Sequence, residues 1–580
     1  MSHSSWCLAL PRPGRALLAV LGGFIAVASP AHAAWPSDPN ANLPVCTADF
    51  DQEFPAMLPD GAGGVFVVWQ DYRNSEYDLY GQRISASGVA QWGTNGIVVC
   101  SASGDQIVPH LASDGASGVI VTWNDTRAGL SDIYAQRLTA GGDRMWGLDG
   151  VALCTAGGPQ HDETVVPDGA GGAYVTWWDR RADAGMAIYG DIYAQRVNAN
   201  GVPQWTPDGV PICTAAGDQQ YPVIVATDIG ALIAWADERN GSGHRDIYAR
   251  AVTSVGAVMG PTDGVAVCNA VGDESSTVIC SDGAGGAIVA WTDPRNGSPE
   301  KTYAQRLSDT CTSLWTANGV AVSSSGIGEL FPAIVSDGAS GAIVAWTDFR
   351  TGGADVYTQR LSPAGARLWA SSDVLLCNAA DFQFYPTVTT DGAGGAIVTW
   401  QDQRNGSSNT DVYARHVTAA GVAQWGVGSS GLAVSTATAT QIFPMIATDA
   451  AGGAIIAWMD ARETSTDIYA QRVLSGGQLG GGASLGVSNA ATLSIALAPV
   501  RNPVRGDALQ MRVTLSAGAA GTLELIDVAG RRIAARNLAG LGGGSHVLDL
   551  AAGAHVPTGL YMVRLREGGA ERVARVTVLE

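Results

Sequence analysis

Eight times along the chain a tryptophan, an aspartate and an arginine stand at alternate positions, from Trp69-Asp71-Arg73 to Trp458-Asp460-Arg462. A guanidinium fork matches carboxylate and phosphate oxygens two at a time, so eight anion clamps are one chemistry this spacing could perform. The other reading is an Asp–Arg pair built once per repeat. A residue needed in every copy is needed by the scaffold, whereas a ligand site is made once, and the structural reading is therefore the expectation. His110, His161, His244 and His416 fall in different copies without zinc-ligand spacing. There is no Gly-x-Ser-x-Gly elbow, phosphate loop or dinucleotide fingerprint. No catalytic residue, metal site or cofactor is expected from these patterns. Cys46, Cys100, Cys154, Cys213, Cys268 and Cys377 recur at one position of the repeat, where two further copies carry Ser323 and Ser435. Equivalent atoms of adjacent copies are too far apart to pair, so these six read as small buried hydrophobes. Cys280 and Cys311 stand outside the pattern, within one copy, and are the candidates for a disulfide.

The elements that must hold these residues are short strands. In each copy an apolar run meets an Asp-Gly turn and a second apolar run, as in Ala333-Ile334-Val335, Asp337-Gly338 and Ala342 to Trp346. Asp and Gly tolerate the backbone of a tight hairpin. A third strand, Asp355 to Leu361, and an irregular fourth carrying Trp369 complete a four-stranded meander. Continuous apolar runs such as Ala287 to Trp291 indicate strands covered on both faces, as in stacked blades. Successive repeat tryptophans are 54 to 58 residues apart. The fold class expected is all-β: an eight-bladed β-propeller of four-stranded blades plus a small C-terminal β-sandwich. The phrase Leu43-Pro44-Val45-Cys46 matches the end of a repeat but precedes the first one, and the eighth copy lacks it. The N-terminal strand should therefore complete the last blade.

Where the copies differ, the scaffold has released positions for other work. The third copy carries a doubled Trp177-Trp178 and ten residues from Arg181 to Asp191, against five in four other copies. The fourth contains His244-Arg245, and the fifth has Lys301 beside Thr302 in place of Asp. The loops between second and third strands share one face of the disc with the connections between blades, which makes that face the expected binding surface. Its candidate binding residues are Trp178, Arg180, Met186, Tyr189, His244, Arg245 and Lys301. The Asn- and Gly-rich loops, such as Asp402 to Asp411, read chiefly as turns held by Asx hydrogen bonds, with calcium as the alternative. Paired carboxylates for glycoside cleavage stay open, since many Asp could meet near the axis.

Arg12 and Arg15, an apolar stretch and Ala31-His32-Ala33 read as a signal peptide over residues 1–33, so the protein should be secreted or carried on the outer cell surface. No later segment is long and apolar enough for a membrane span. A net charge of −20 with a single lysine excludes a nucleic-acid partner, which would need a basic field. After the propeller, residues 34–475, comes a Gly-rich linker, 476–497, and then the sandwich, 498–580.

That last segment carries Asn502-Pro503, Asp527-Val528-Ala529-Gly530-Arg531 and Gly559-Leu560-Tyr561. In these phrases it resembles the C-terminal sorting domains of the type IX secretion system and the related FlgD-type immunoglobulin-like domains. The resemblance implies export through the outer-membrane secretion machinery, followed by cleavage of the tail or its attachment at the surface. The function expected is a non-catalytic binding propeller for an extracellular glycan, polymer or protein. A secreted carbohydrate-active hydrolase or lyase with an axial site, and a structural surface spacer, are the alternatives.

Overall fold

The computed structural model describes residues 35–182, 189–295, 299–325 and 328–480, together with the strands and some adjoining residues between 496 and 579. The signal peptide, Met186 and most of the Gly-rich linker lie outside the described residues. The chain divides into two compact units, Met1–Ala483 and Ser484–Glu580. Among the described residues no helix is long and apolar enough to cross a membrane.

The first unit is the eight-bladed propeller. Blade 1 consists of Gln52–Pro59, Val65–Asp71, Asp78–Ile84 and Ile97–Cys100, each antiparallel to the next, and the other blades repeat this order. First strands of neighbouring blades touch one another all round the ring, including the first with the eighth, so they line the axis. Second strands are buried on both faces: every residue of Val65–Asp71, Ala287–Asp293 and Ala454–Asp460 is buried. This is why their sequences are continuous apolar runs instead of alternating ones. The repeat tryptophans are all fully buried. Gly96, at φ +78°, shows how tightly the ring of Trp69 is covered: a Cβ there would lie 2.6 Å from it.

The Trp-x-Asp-x-Arg phrase builds one network per blade. The indole Nε1 donates to the Asp Oδ2 at 2.7–2.9 Å in all eight copies. The arginine closes on the same carboxylate at 2.5–2.6 Å. Its guanidinium carbon sits 3.7–4.0 Å from the ring centre of the third-strand tyrosine. The forks are thus occupied by the blade itself, as the scaffold reading requires. The six recurring cysteines are buried but are more than hydrophobic filler. Each accepts a contact from an arginine Nη2 at 3.2–3.3 Å. Burial pushes the thiol of Cys46, among others, up to about 12, which keeps it neutral.

The proposed Cys280–Cys311 disulfide is not formed; both thiols are free. Cys280 packs with Ile288, Val344 and Trp346, whereas Cys311 packs with Leu232, Val289 and Trp291. They share an end of the meander but point into the two different interfaces flanking blade 5, and spacing along the chain carries no information about which face a side chain takes.

Closure follows the permuted boundary. Leu43–Cys46 runs antiparallel to Asp467–Val473, with Leu43 opposite Ala470 and Pro44 opposite Tyr469. Trp35 occupies the place held by Trp92 in blade 1, and its Nε1 donates to the Ala86 carbonyl at 3.0 Å. Arg472 of blade 8 donates to the same carbonyl at 2.8 Å. Closure removes the free sheet edges an open array would present.

In the second unit, a sheet ordered Ala496–Pro499, Gln510–Leu515, Gly544–Asp549 and a five-stranded sheet enclose a core that includes Met511, Leu523, Leu525, Val563 and Val576.

Candidate binding face

The opening residues of each first strand pair with the end of the second, as Gln52 does with Asp71. They therefore lie on the face that carries the loops between second and third strands. Two residues later every first strand bulges: in blade 1 Phe54 and Pro55 stand between the paired Glu53–Gln70 and Ala56–Val68, two residues against one. Proline has no N–H to give the ladder and so suits this position, and six blades have it there. The residue before it has a left-handed backbone in all eight blades: Phe54, Val108, Asp162, Tyr221, Ser276, Phe331, Tyr385 and Phe443, with φ between 49° and 54°.

That conformation costs an L-residue about 1–2 kcal/mol, and glycine would adopt it freely. The conformation belongs to the scaffold, since it recurs in every blade; the side chain chosen for it does not. Five of the eight are aromatic. Phe54, Tyr385 and Phe443 are 43%, 40% and 41% exposed, and Tyr221 is 52% exposed. Rings on blades 6, 7, 8 and 1 form a continuous arc: Phe331 to Tyr385 is 4.3 Å between centroids, Tyr385 to Phe443 is 6.3 Å and Phe443 to Phe54 is 5.6 Å. Strained backbone that displays exposed rings is a mark of function more than of stability.

Across the ring the character is polar. Asp162 and Ser276 occupy the bulge position in blades 3 and 5, followed by Glu163 and Thr277 in place of proline. Glu163 is fully buried and lies 3.3 Å from Nδ1 of His110 on blade 2. Burial raises the carboxyls of Asp162 and Glu163 above their ordinary range. The His110 imidazole has its pKa raised: burial works against the charged form, but the bond to Glu163 outweighs it.

Of the residues expected on this face, the structure brings Trp178 and Arg180 together, the guanidinium 5.6 Å from the indole centre. Trp178 Nε1 donates to Asp218 at 3.1 Å and its ring lies 5.9 Å from that of His161. Tyr189 is 47% exposed beside the insertion, and His244 is exposed. Arg245 is not available as an anion clamp, because it forms a two-pronged pair with Asp273 at 2.7 and 2.8 Å. Lys301 is half-buried at the start of its strand, opposite Asp293. The Asx reading of the loop after Arg404 holds, with Asn405 donating to Asp411 at 2.7 Å.

The aromatic arc was missed as a site in the sequence, although its signal is present: Phe54-Pro55, Tyr221-Pro222, Phe331-Pro332, Tyr385-Pro386 and Phe443-Pro444 recur at one position of the repeat. A recurring aromatic–proline pair in an apolar strand reads as core, and only the bulge turns it outward.

One group of the described residues has the donor types of a metal site: Cys268, Glu274 and Asp293, all buried. Arg295 reaches Cys268 at 3.3 Å and Asp293 at 2.5 Å, so a cation is already in place. Glu274 and Glu329 stand where the other six blades have a buried glutamine. Burial, with Asp293 adding to it, pushes Glu274 up to about 7, and burial does the same to Glu329. Each is then neutral in the fold at mildly acid pH and stands in for the amide. Their stability contribution is complete below the ordinary carboxylate range, about pH 4.5, and is lost as pH rises through about 7. The double variant Glu274→Gln, Glu329→Gln should therefore melt several degrees higher than wild type at pH 8, with the gap closing by pH 5. Thermal melts across that range check this, and a pH-independent gap would contradict it.

No protein-family model and no curated protein matches the chain. Solved structures similar to it include an endo-arabinase from Bacteroides thetaiotaomicron, 15% identical, covering 46% of this chain and 96% of that one with a TM-score of 0.28. A polysaccharide lyase acting on ulvan is 11% identical over 65% of this chain and 96% of its own, at a TM-score of 0.39. An α-L-arabinanase of Penicillium chrysogenum, complexed with arabinobiose, is 10% identical over 65% and 98%, at 0.33. Likeness at this level carries no functional argument, and the fold rests on the strand order and ring closure described above.

Proposed function

We propose that this chain is a secreted, non-catalytic binding propeller that grips an extracellular glycan, polymer or protein on the face of the variable loops, with a glycan the best fit. The observation that carries the reading is the arc of four aromatic rings around the axis, three of them well exposed, all held outward by left-handed bulges. Exposed rings stack on the apolar face of a sugar ring, while Asp162, Ser276 and the Trp178–Asp218 group opposite supply partners for hydroxyls. Screening the purified protein on an array of soluble polysaccharides, with product release followed in parallel, tests it. Capture without turnover is the expected result.

A second reading, a carbohydrate-active enzyme, rests on the Asp162, Glu163 and His110 cluster beside the axis. Release of sugar product that disappears in Glu163→Gln would establish it and displace the first. In either case export is assigned to the C-terminal sandwich. A chain ending at residue 480 should fold and accumulate in the periplasm of its host, and normal surface delivery of that chain would remove the sorting role.

A further inference from the structure

We infer that the seam between blade 8 and blade 1 holds a divalent cation, calcium in preference to magnesium, bound by Asp467 and Glu463 with oxygens of the N-terminal segment around Asp49. A depression of about 790 Å³ opens there between the loop before the third strand of blade 8 and the chain that leads into blade 1. Asp467 lines it, only 2% exposed, and no described residue gives its carboxylate a hydrogen bond or an ion pair.

The other blades show what this carboxylate requires. Asn74 donates to Asp78 at 2.7 Å, Asn240 to Asp246 at 2.6 Å and Asn405 to Asp411 at 2.7 Å. In blade 6 the hydroxyl of Thr351 serves Asp355. Blade 8 puts Glu463 in the place of the asparagine after the repeat arginine, replacing a donor with a second negative charge. The nearby Arg462 does not neutralise the pair, because its fork is closed on both oxygens of Asp460 at 2.8 and 2.5 Å. Asp51 is already engaged by the backbone N–H of Thr466 at 2.9 Å.

What remains is a buried carboxylate without a donor, a second carboxylate beside it, and a lining of oxygen donors that includes Asp49, Thr464 and Ser465. Calcium takes six to eight such oxygens in flexible geometry, whereas magnesium demands a tight octahedron that an open depression does not supply. A cation here ties the N-terminal segment to the last blade, so it acts on ring closure as well as on its own ligands.

The test uses the full chain, stripped with chelator and melted at pH 8 with and without 1 mM calcium chloride. Calcium should raise the melting temperature by about 2–4 °C, the size expected for a ligand present well above its dissociation constant. Magnesium chloride should give less than half that shift. Asp467→Asn should abolish the calcium shift. Glu463→Gln, a change at an exposed position that leaves folding intact, should weaken calcium binding at least tenfold by calorimetry. The absence of any calcium shift overturns the inference. So does a shift of equal size in Glu463→Gln, which would be diffuse screening of a chain of net charge −20.

Discussion

A chain lacking residues 34–46 should unfold at a temperature lower by about 10 °C or more, because those residues close the ring. They supply the fourth strand of blade 8 and bury Trp35, Leu43, Val45 and Cys46 against the third strand of that blade and the neighbouring blade. Exposing side chains of this size costs about 2–3 kcal/mol each, against a net stability of only about 5–15 kcal/mol for a typical domain. The truncation also strips Gln471 of its bond to the Pro36 carbonyl at 2.7 Å and Ser435 of its bond to Asn42 at 2.8 Å. It leaves an unpaired edge on Asp467–Val473. Scanning calorimetry on the truncated and intact chains decides the matter. Trp35→Ala alone should give a smaller loss of the same kind. An unchanged melting curve for the truncated chain would mean that the seam contributes nothing to stability, contrary to the geometry of the eighth blade.

The aromatic arc makes a prediction of the opposite kind, a large loss of binding without a loss of stability. Replacing Tyr385 or Phe443 by glycine removes a ring that is about 40% exposed in each case, and relieves a left-handed backbone at 53° and 52°. The relief, about 1–2 kcal/mol, offsets the roughly 0.5–1 kcal/mol that glycine adds to the entropy of the unfolded chain. The melting temperature should stay level or rise slightly. Affinity for the best polysaccharide on the array should fall at least tenfold for each variant and about a hundredfold for the pair, since each ring removes a stacking surface worth more than about 1.4 kcal/mol. Trp178→Ala, on the polar side, reports separately on that half of the ring. Undiminished binding in the double glycine variant would move the ligand away from the axis and leave the bulges as scaffold alone.

The architecture was legible because it is written in repetition. The repeat tryptophans, the Asp-Gly turns and the displaced Leu43-Pro44-Val45-Cys46 phrase determine blade number, strand order and closure, since each is a local pattern whose consequence is local or a copy of its neighbour's. The scaffold role of the arginines was legible for the same reason. Three matters were left to the tertiary structure. Cys280 and Cys311 are near in sequence and share a blade, but which interface each enters depends on side-chain direction at two strand ends. Arg245 stood in a variable loop and looked free, and it became an internal pair only when blade 5 brought Asp273 to it. The aromatic–proline pairs read as core because alternation along a strand assigns faces by counting, and one extra residue at a bulge reverses the count. The ring of eight such bulges places Phe331, Tyr385, Phe443 and Phe54, up to some 300 residues apart in sequence, side by side at the axis. Convergence of that kind is a property of the closed ring, which no single repeat contains.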